Sequence, residues 1–129
     1  MAIPEIFSRR GEVWFRRAER QMVLELVRSA PSGVLALGGG ALGSEVTRGL
    51  LDRECAVVWL RVDPEVAWRR VGGSDRPLAQ HRERFVRRSA QREPLYREVA
   101  DLEVDAAAPV DEVVARVAAW AESREAAAR

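Results

Sequence analysis

VLALGGGAL, residues 34 to 42, is the stretch on which the fold turns. Val34 to Leu37 is all apolar, as a strand is when a parallel sheet covers both of its faces, and three glycines follow at once. Glycines beyond the carboxyl end of such a strand let backbone N–H groups approach a ligand or an anion. Equally, they form a tight turn. One reading drops out: a P-loop needs a lysine to reach the β- and γ-phosphates, and all 21 basic residues of this 129-residue chain are arginine.

Working outward, residues 4–10 read as a short helix closed by Gly11 at C′. From Glu12 to Arg28 the spacing of Phe15, Ala18, Met22 and Leu26 predicts an amphipathic helix, broken at Pro31-Ser32-Gly33. On the other side, Ser44 caps a helix to about Arg53, and Ala56–Val62 is a second strand of the buried type. Asp63-Pro64 supplies an N-cap and a first-turn proline, opening a helix to about Val71. Gly72-Gly73-Ser74-Asp75 reads as a flexible stretch, and residues 80–100 as an arginine-rich helix interrupted near Pro94. Leu102–Asp105 is a third strand. A last helix runs from Asp111 to Glu122, and residues 123–129 are expected to fray. Alternating strands and helices predict an α/β fold with a parallel sheet. Only three strands are legible, and helices precede the first.

The formal charge is +1, so no bulk field draws the chain to nucleic acid. No apolar run is long enough for a membrane span. The single cysteine, Cys55, excludes an internal disulfide and suits a reducing, cytoplasmic compartment; it reads as a small buried hydrophobe. His81, the one histidine, lies among charged residues and reads as solvated. No Cys/His cluster suggests a metal site, and no Ser/His/Asp set is available.

Arginines mark the remaining candidates. Arg16 and Glu19 are three apart, neighbours on one helix face: either a solvated ion pair or a guanidinium fork held by Glu19 and offered to a substrate carboxylate. Arg69-Arg70-Val71-Gly72-Gly73-Ser74-Asp75-Arg76-Pro77-Leu78 places arginines on both sides of a glycine pair, as a solvated loop or as a lid closing on phosphates. Arg92-Glu93-Pro94-Leu95-Tyr96 sets an arginine just before a proline in a basic helix.

In this order, these patches resemble shikimate kinase over about residues 3–120. The residues that carry the resemblance are Glu5-Ile6-Phe7, Gly11-Glu12, Phe15-Arg16 with Glu19, Gly38-Gly39-Gly40, Val58-Trp59-Leu60, Arg76-Pro77-Leu78, and Arg92 with Pro94-Leu95-Tyr96. The resemblance implies a three-layer parallel sheet with flanking helices, like the nucleoside monophosphate kinases with their P-loop, in one domain over residues 1–122 with a lid at about 70–80. It implies ATP- and Mg²⁺-dependent phosphorylation of the shikimate 3-hydroxyl, in a small-molecule enzyme that is monomeric when full-length. Arg16 and Arg92 would grip the shikimate carboxylate, Glu19 would orient Arg16, and the Gly38, Gly39 and Gly40 backbone would line the ring. Arg76, with Arg70 as helper, would close over ATP.

The family's opening strand, phosphate loop and aspartate-bearing second strand have no counterpart in these residues. No catalytic residue is therefore assigned. A fragment, or a start codon placed too late, is expected, short of about 30 residues or one βαβ unit. Its bare strand edges predict a chain that is inactive alone and prone to self-association. Two other readings are a kinase of the same fold for another metabolite, such as gluconate, and a non-catalytic relative that binds a ligand or a partner.

Overall fold

The computed structural model describes residues 2–29, 32–71 and 79–128. The chain divides into two compact units, Met1–Ala56 and Val57–Arg129.

The first unit is built from helix α1 (Ile3–Ser29) and helix α2 (Glu45–Glu54), joined through a 3₁₀ turn at Ala41–Gly43. Gly11 interrupts α1 with φ 85° and ψ 166°, as the sequence foretold. This conformation belongs to glycine. Ser44 caps α2 by accepting from the Thr47 amide at 3.2 Å. Val23, Ala41, Leu42, Leu50 and Leu51 form the core, with Thr47 buried among them. The buried face of α1 differs from the expected stripe: Met22 and Leu26 are exposed, and Val23 is inside. The packed face is therefore turned by about one residue, and it carries Arg16, Glu19, Val23 and Val27.

Val34–Leu37 forms no ladder among the described residues, and Val34 and Leu35 are exposed. This corrects the expected first strand. An apolar run favours a buried strand, yet a strand needs hydrogen-bonding neighbours, and none of the described residues supplies them.

The second unit holds the parallel sheet: β1 (Val58–Arg61) beside β2 (Leu102–Asp105), with Val58 opposite Leu102 and Arg61 opposite Asp105. The pairing is extended by Asp101 N–H to Val57 O at 2.8 Å and Ala106 N–H to Arg61 O at 2.7 Å. Helix α3 (Pro64–Arg70) begins as the sequence predicts, the Asp63 side chain accepting from the Glu65 amide at 2.8 Å. Helix α4 (Ala79–Val99) runs unbroken through Pro94, against the expected interruption. Proline removes one backbone bond at a cost of about 3 kcal/mol, of which the exposed Glu93–Arg97 pair across it offsets only a few tenths, so α4 carries Pro94 at a net cost. Helix α5 (Val110–Ala128) continues past Glu122 rather than fraying there. Val99 and Val104 are the buried centre of this unit. Among the described residues no helix is long and apolar enough to cross a membrane.

Candidate functional site

Arg16 sits on the packed face of α1, its side chain only 27 % exposed and Glu19's 16 %. Arg16 Nη1 donates to Glu19 Oε1 at 2.8 Å. Glu12, one turn earlier, brings a second carboxylate oxygen to 3.8 Å from Nε. The Phe15 ring adds a face 5.2 Å from the guanidinium carbon. A charge held on three sides in this way loses much of its side-chain freedom before any ligand arrives.

The same guanidinium explains the glycine corner. A Cβ built on Gly40 would meet Arg16 Nη2 at 2.5 Å and Nη1 at 2.7 Å, closer than any real side chain tolerates. At Gly38 it would meet Glu19 Oε2 at 3.2 Å. Gly40 has φ −96°, and the described glycines with positive φ are Gly11 and Gly33. The corner is thus glycine for close approach and not for its backbone angles. Gly38 O accepts from the Ala41 amide at 3.1 Å, which folds Gly38-Gly39-Gly40 into a turn against α1. Arg16, Glu19 and the glycines are thus brought together within the first unit.

The other candidates lie in the second unit. Arg92 is half-buried on α4, one turn before Tyr96. Burial pushes the Tyr96 phenol above its ordinary range, with Arg92 pulling the other way. Arg70, at the end of α3, donates through Nη1 to Ala106 O at 2.8 Å. Arg76, and with it most of the expected lid, lies outside the described residues. His81 is exposed, and Cys55 is half-buried, its thiol raised by burial and then by Glu54. A separate open cavity of about 290 Å³ between α3 and α4 is lined by Glu65, Arg82, Glu83, Val86 and Arg87. There Arg82 grips both oxygens of Glu65, at 2.6 and 2.8 Å.

Two participants escaped the reading of the sequence as site residues: Glu12 beside Arg16, and Tyr96 beside Arg92. Both stand four residues from their arginine, a spacing that makes neighbours on any helix.

The family model for shikimate kinase matches residues 1–122. A shikimate kinase of Nitrobacter winogradskyi is 44% identical over 108 residues, which are 81% of this chain and 50% of that protein. One from Moorella thermoacetica is 40% identical over 130 residues, 95% of this chain and 75% of its own length. Among solved structures, shikimate kinase from Acinetobacter baumannii in complex with shikimate superposes with a TM-score of 0.81 at 33% identity, over 95% of this chain and 71% of that one. The chain spans between about half and three quarters of the length of these relatives.

Proposed function

Since the chain belongs to the shikimate kinase family, we propose that it carries the acid-binding part of a kinase that phosphorylates the shikimate 3-hydroxyl at the expense of ATP. In this reading Arg16, oriented by Glu19, and Arg92 bind the carboxylate of shikimate. The Gly38–Gly40 backbone lines the ring, and residues 1–122 act as one domain. Arg76, with Arg70, serves the nucleotide. The protein works in the cytoplasm on a small molecule, as a monomer when full-length, with no membrane or nucleic acid involved.

The observation that carries this reading is the Arg16 guanidinium, tied to Glu19 at 2.8 Å and lying where a Gly40 Cβ would be. A solvated ion pair needs neither burial nor a bare glycine beside it. The chemistry supplied is recognition. Phosphoryl transfer rests on positioning and on neutralising spread charge, and a carboxylate fixed by two guanidiniums fixes the ring that bears the hydroxyl.

The family uses ATP and Mg²⁺, but beyond Arg76 and Arg70 the residues at hand build a site for neither. The chain has no lysine to cradle phosphates, and among the described residues no three His, Cys, Asp or Glu side chains converge to hold a metal ion. No transfer step is therefore drawn through the 129 residues, and they are expected to bind the acid without turning it over.

Titration calorimetry with shikimate, its methyl ester and gluconate tests the proposal. Shikimate is expected to bind best, the uncharged ester more weakly, and Arg16→Ala is expected to remove the difference between acid and ester. Equal binding of acid and ester by the unmodified chain, or a preference for gluconate, would overturn it.

A further inference from the structure

The glycine corner is held from both helices of the first unit. From α1 comes the Arg16 guanidinium, crowding the place of a Gly40 Cβ. From α2 comes Arg48, half-buried, whose Nη1 donates to the Leu42 carbonyl oxygen at 2.7 Å. Between these two arginines the chain is tightly turned: Gly38 O accepts from the Ala41 amide at 3.1 Å, and Gly40 O from the Gly43 amide at 3.2 Å. Ala41 and Leu42 are buried. Arg48 lies in the first turn of α2, where a cation stands against the helix dipole. A residue that breaks this local rule, and whose side chain reaches back to the main chain just past the glycines, has a use beyond helix stability.

Resting on the reading that Arg16 and the Gly38–Gly40 backbone receive the acid, we propose that Arg48 is a positioning residue: by holding the Leu42 carbonyl it keeps the corner folded and Gly40 against the Arg16 guanidinium. Three successive glycines are the most mobile backbone a chain offers, and ordering them at the moment of binding costs affinity. A hydrogen bond from a charged donor to the carbonyl two residues on is stronger than a neutral one, and it removes part of that freedom before the ligand arrives. Glu19 fixes Arg16 from its own helix. Arg48 fixes the backbone that Arg16 meets, and so acts through Gly40 and Arg16, not by touching the acid.

Calorimetry with shikimate and its methyl ester, well below the melting temperature, reads the effect. Arg48→Met keeps the stem and removes the donors. It is expected to weaken shikimate binding by roughly three- to tenfold, the size of one net hydrogen bond, and ester binding by less, so that the preference for acid over ester shrinks. Arg48→Lys keeps a charged donor on a stem of similar length and is expected to recover part of that preference. In a Gly40→Ala background, where the corner no longer meets Arg16 as closely, Arg48→Met is expected to change the preference no further.

An arginine that merely stabilises α2 gives another result: Arg48→Met lowers the melting temperature and leaves the acid-over-ester preference as it was. That result, equal losses for acid and ester, no recovery with lysine, or a further loss of preference in the Gly40→Ala background overturns the proposal and leaves the binding reading intact. If Arg48→Met does not fold, Arg48→Gln, shorter and neutral, is expected to show the same shrunken preference, and an unchanged preference there overturns the proposal. A lack of preference for the acid in the unmodified chain overturns the binding reading as well, and that control tells the two failures apart.

Discussion

In the Met1–Ala56 unit Arg16 is held by carboxylates, Glu19 at 2.8 Å and Glu12 at 3.8 Å; in the Val57–Arg129 unit Arg92 stands one turn from the Tyr96 phenol, whose ionisation its charge favours. The two surroundings suit one task differently. Carboxylates anchor a guanidinium firmly but offset its charge, and they are themselves hostile to an anionic ligand once the arginine is gone. A neutral phenol nearby leaves the charge whole. Removing the two arginines is therefore expected to have unequal consequences, although each binds the same group of the ligand in the proposed function.

Arg16→Ala carries the largest expected effect. It removes a charge-assisted contact worth about 1.5–3 kcal/mol and leaves Glu19, mostly buried, repelling the incoming carboxylate. Shikimate affinity is expected to fall by about 3 kcal/mol, roughly a hundredfold or more. Adding Glu19→Gln to that variant is expected to recover part of the loss, because the repulsion goes while the missing contact does not. Recovery of nothing would mean that Glu19 does not face the ligand.

Arg92→Ala comes next, at about 2 kcal/mol, since the nearby Tyr96 phenol carries no negative charge to be unmasked and Glu93 is paired with Arg97 at 2.8 Å. If both arginines act on one carboxylate, the double variant loses less than the sum of the single losses. Strict additivity in the same calorimetric titrations would separate the two residues into independent roles.

The legible parts of the fold were those written locally. Ser44 and Asp63-Pro64 each announce a helix start within a few residues, and both caps form. Leu102–Asp105 is a strand over its full predicted length. Val34–Leu37 shows the limit of pattern reading: apolar residues record a preference for burial, whereas a ladder requires a neighbour that these four residues do not name. The α1 face was misread for a related reason. Met22 and Leu26 fit an apolar stripe, yet the helix packs Arg16 and Glu19 inward beside Val23, placing polar groups where periodicity asks for apolar ones. A functional site is where such a conflict is expected. The spacing of Arg16 and Glu19 was visible in the sequence, but the reason for Gly40 was not, because it is the arginine's own side chain arriving from another helix.

Two glycines of the first unit sharpen this point, since they are glycine for opposite reasons. Gly40 has an ordinary φ of −96° and no room for a Cβ; Gly11 has φ 85° and nothing within 4 Å of where a Cβ would stand. Gly40→Ala must displace the Arg16 guanidinium. Its expected effect is a loss of shikimate affinity of about 1.5 kcal/mol, in the range of small-to-large substitutions in packed sites. Gly11→Ala meets no neighbour and strains only the backbone. It is expected to cost about 1 kcal/mol of folding stability with shikimate affinity unchanged. Thermal melts and calorimetry on the two variants measure both quantities. If Gly40→Ala instead lowered stability alone, Arg16 would be a packing residue whose guanidinium does not meet the acid, and the contrast between the two units would reduce to a difference in how each buries a charge.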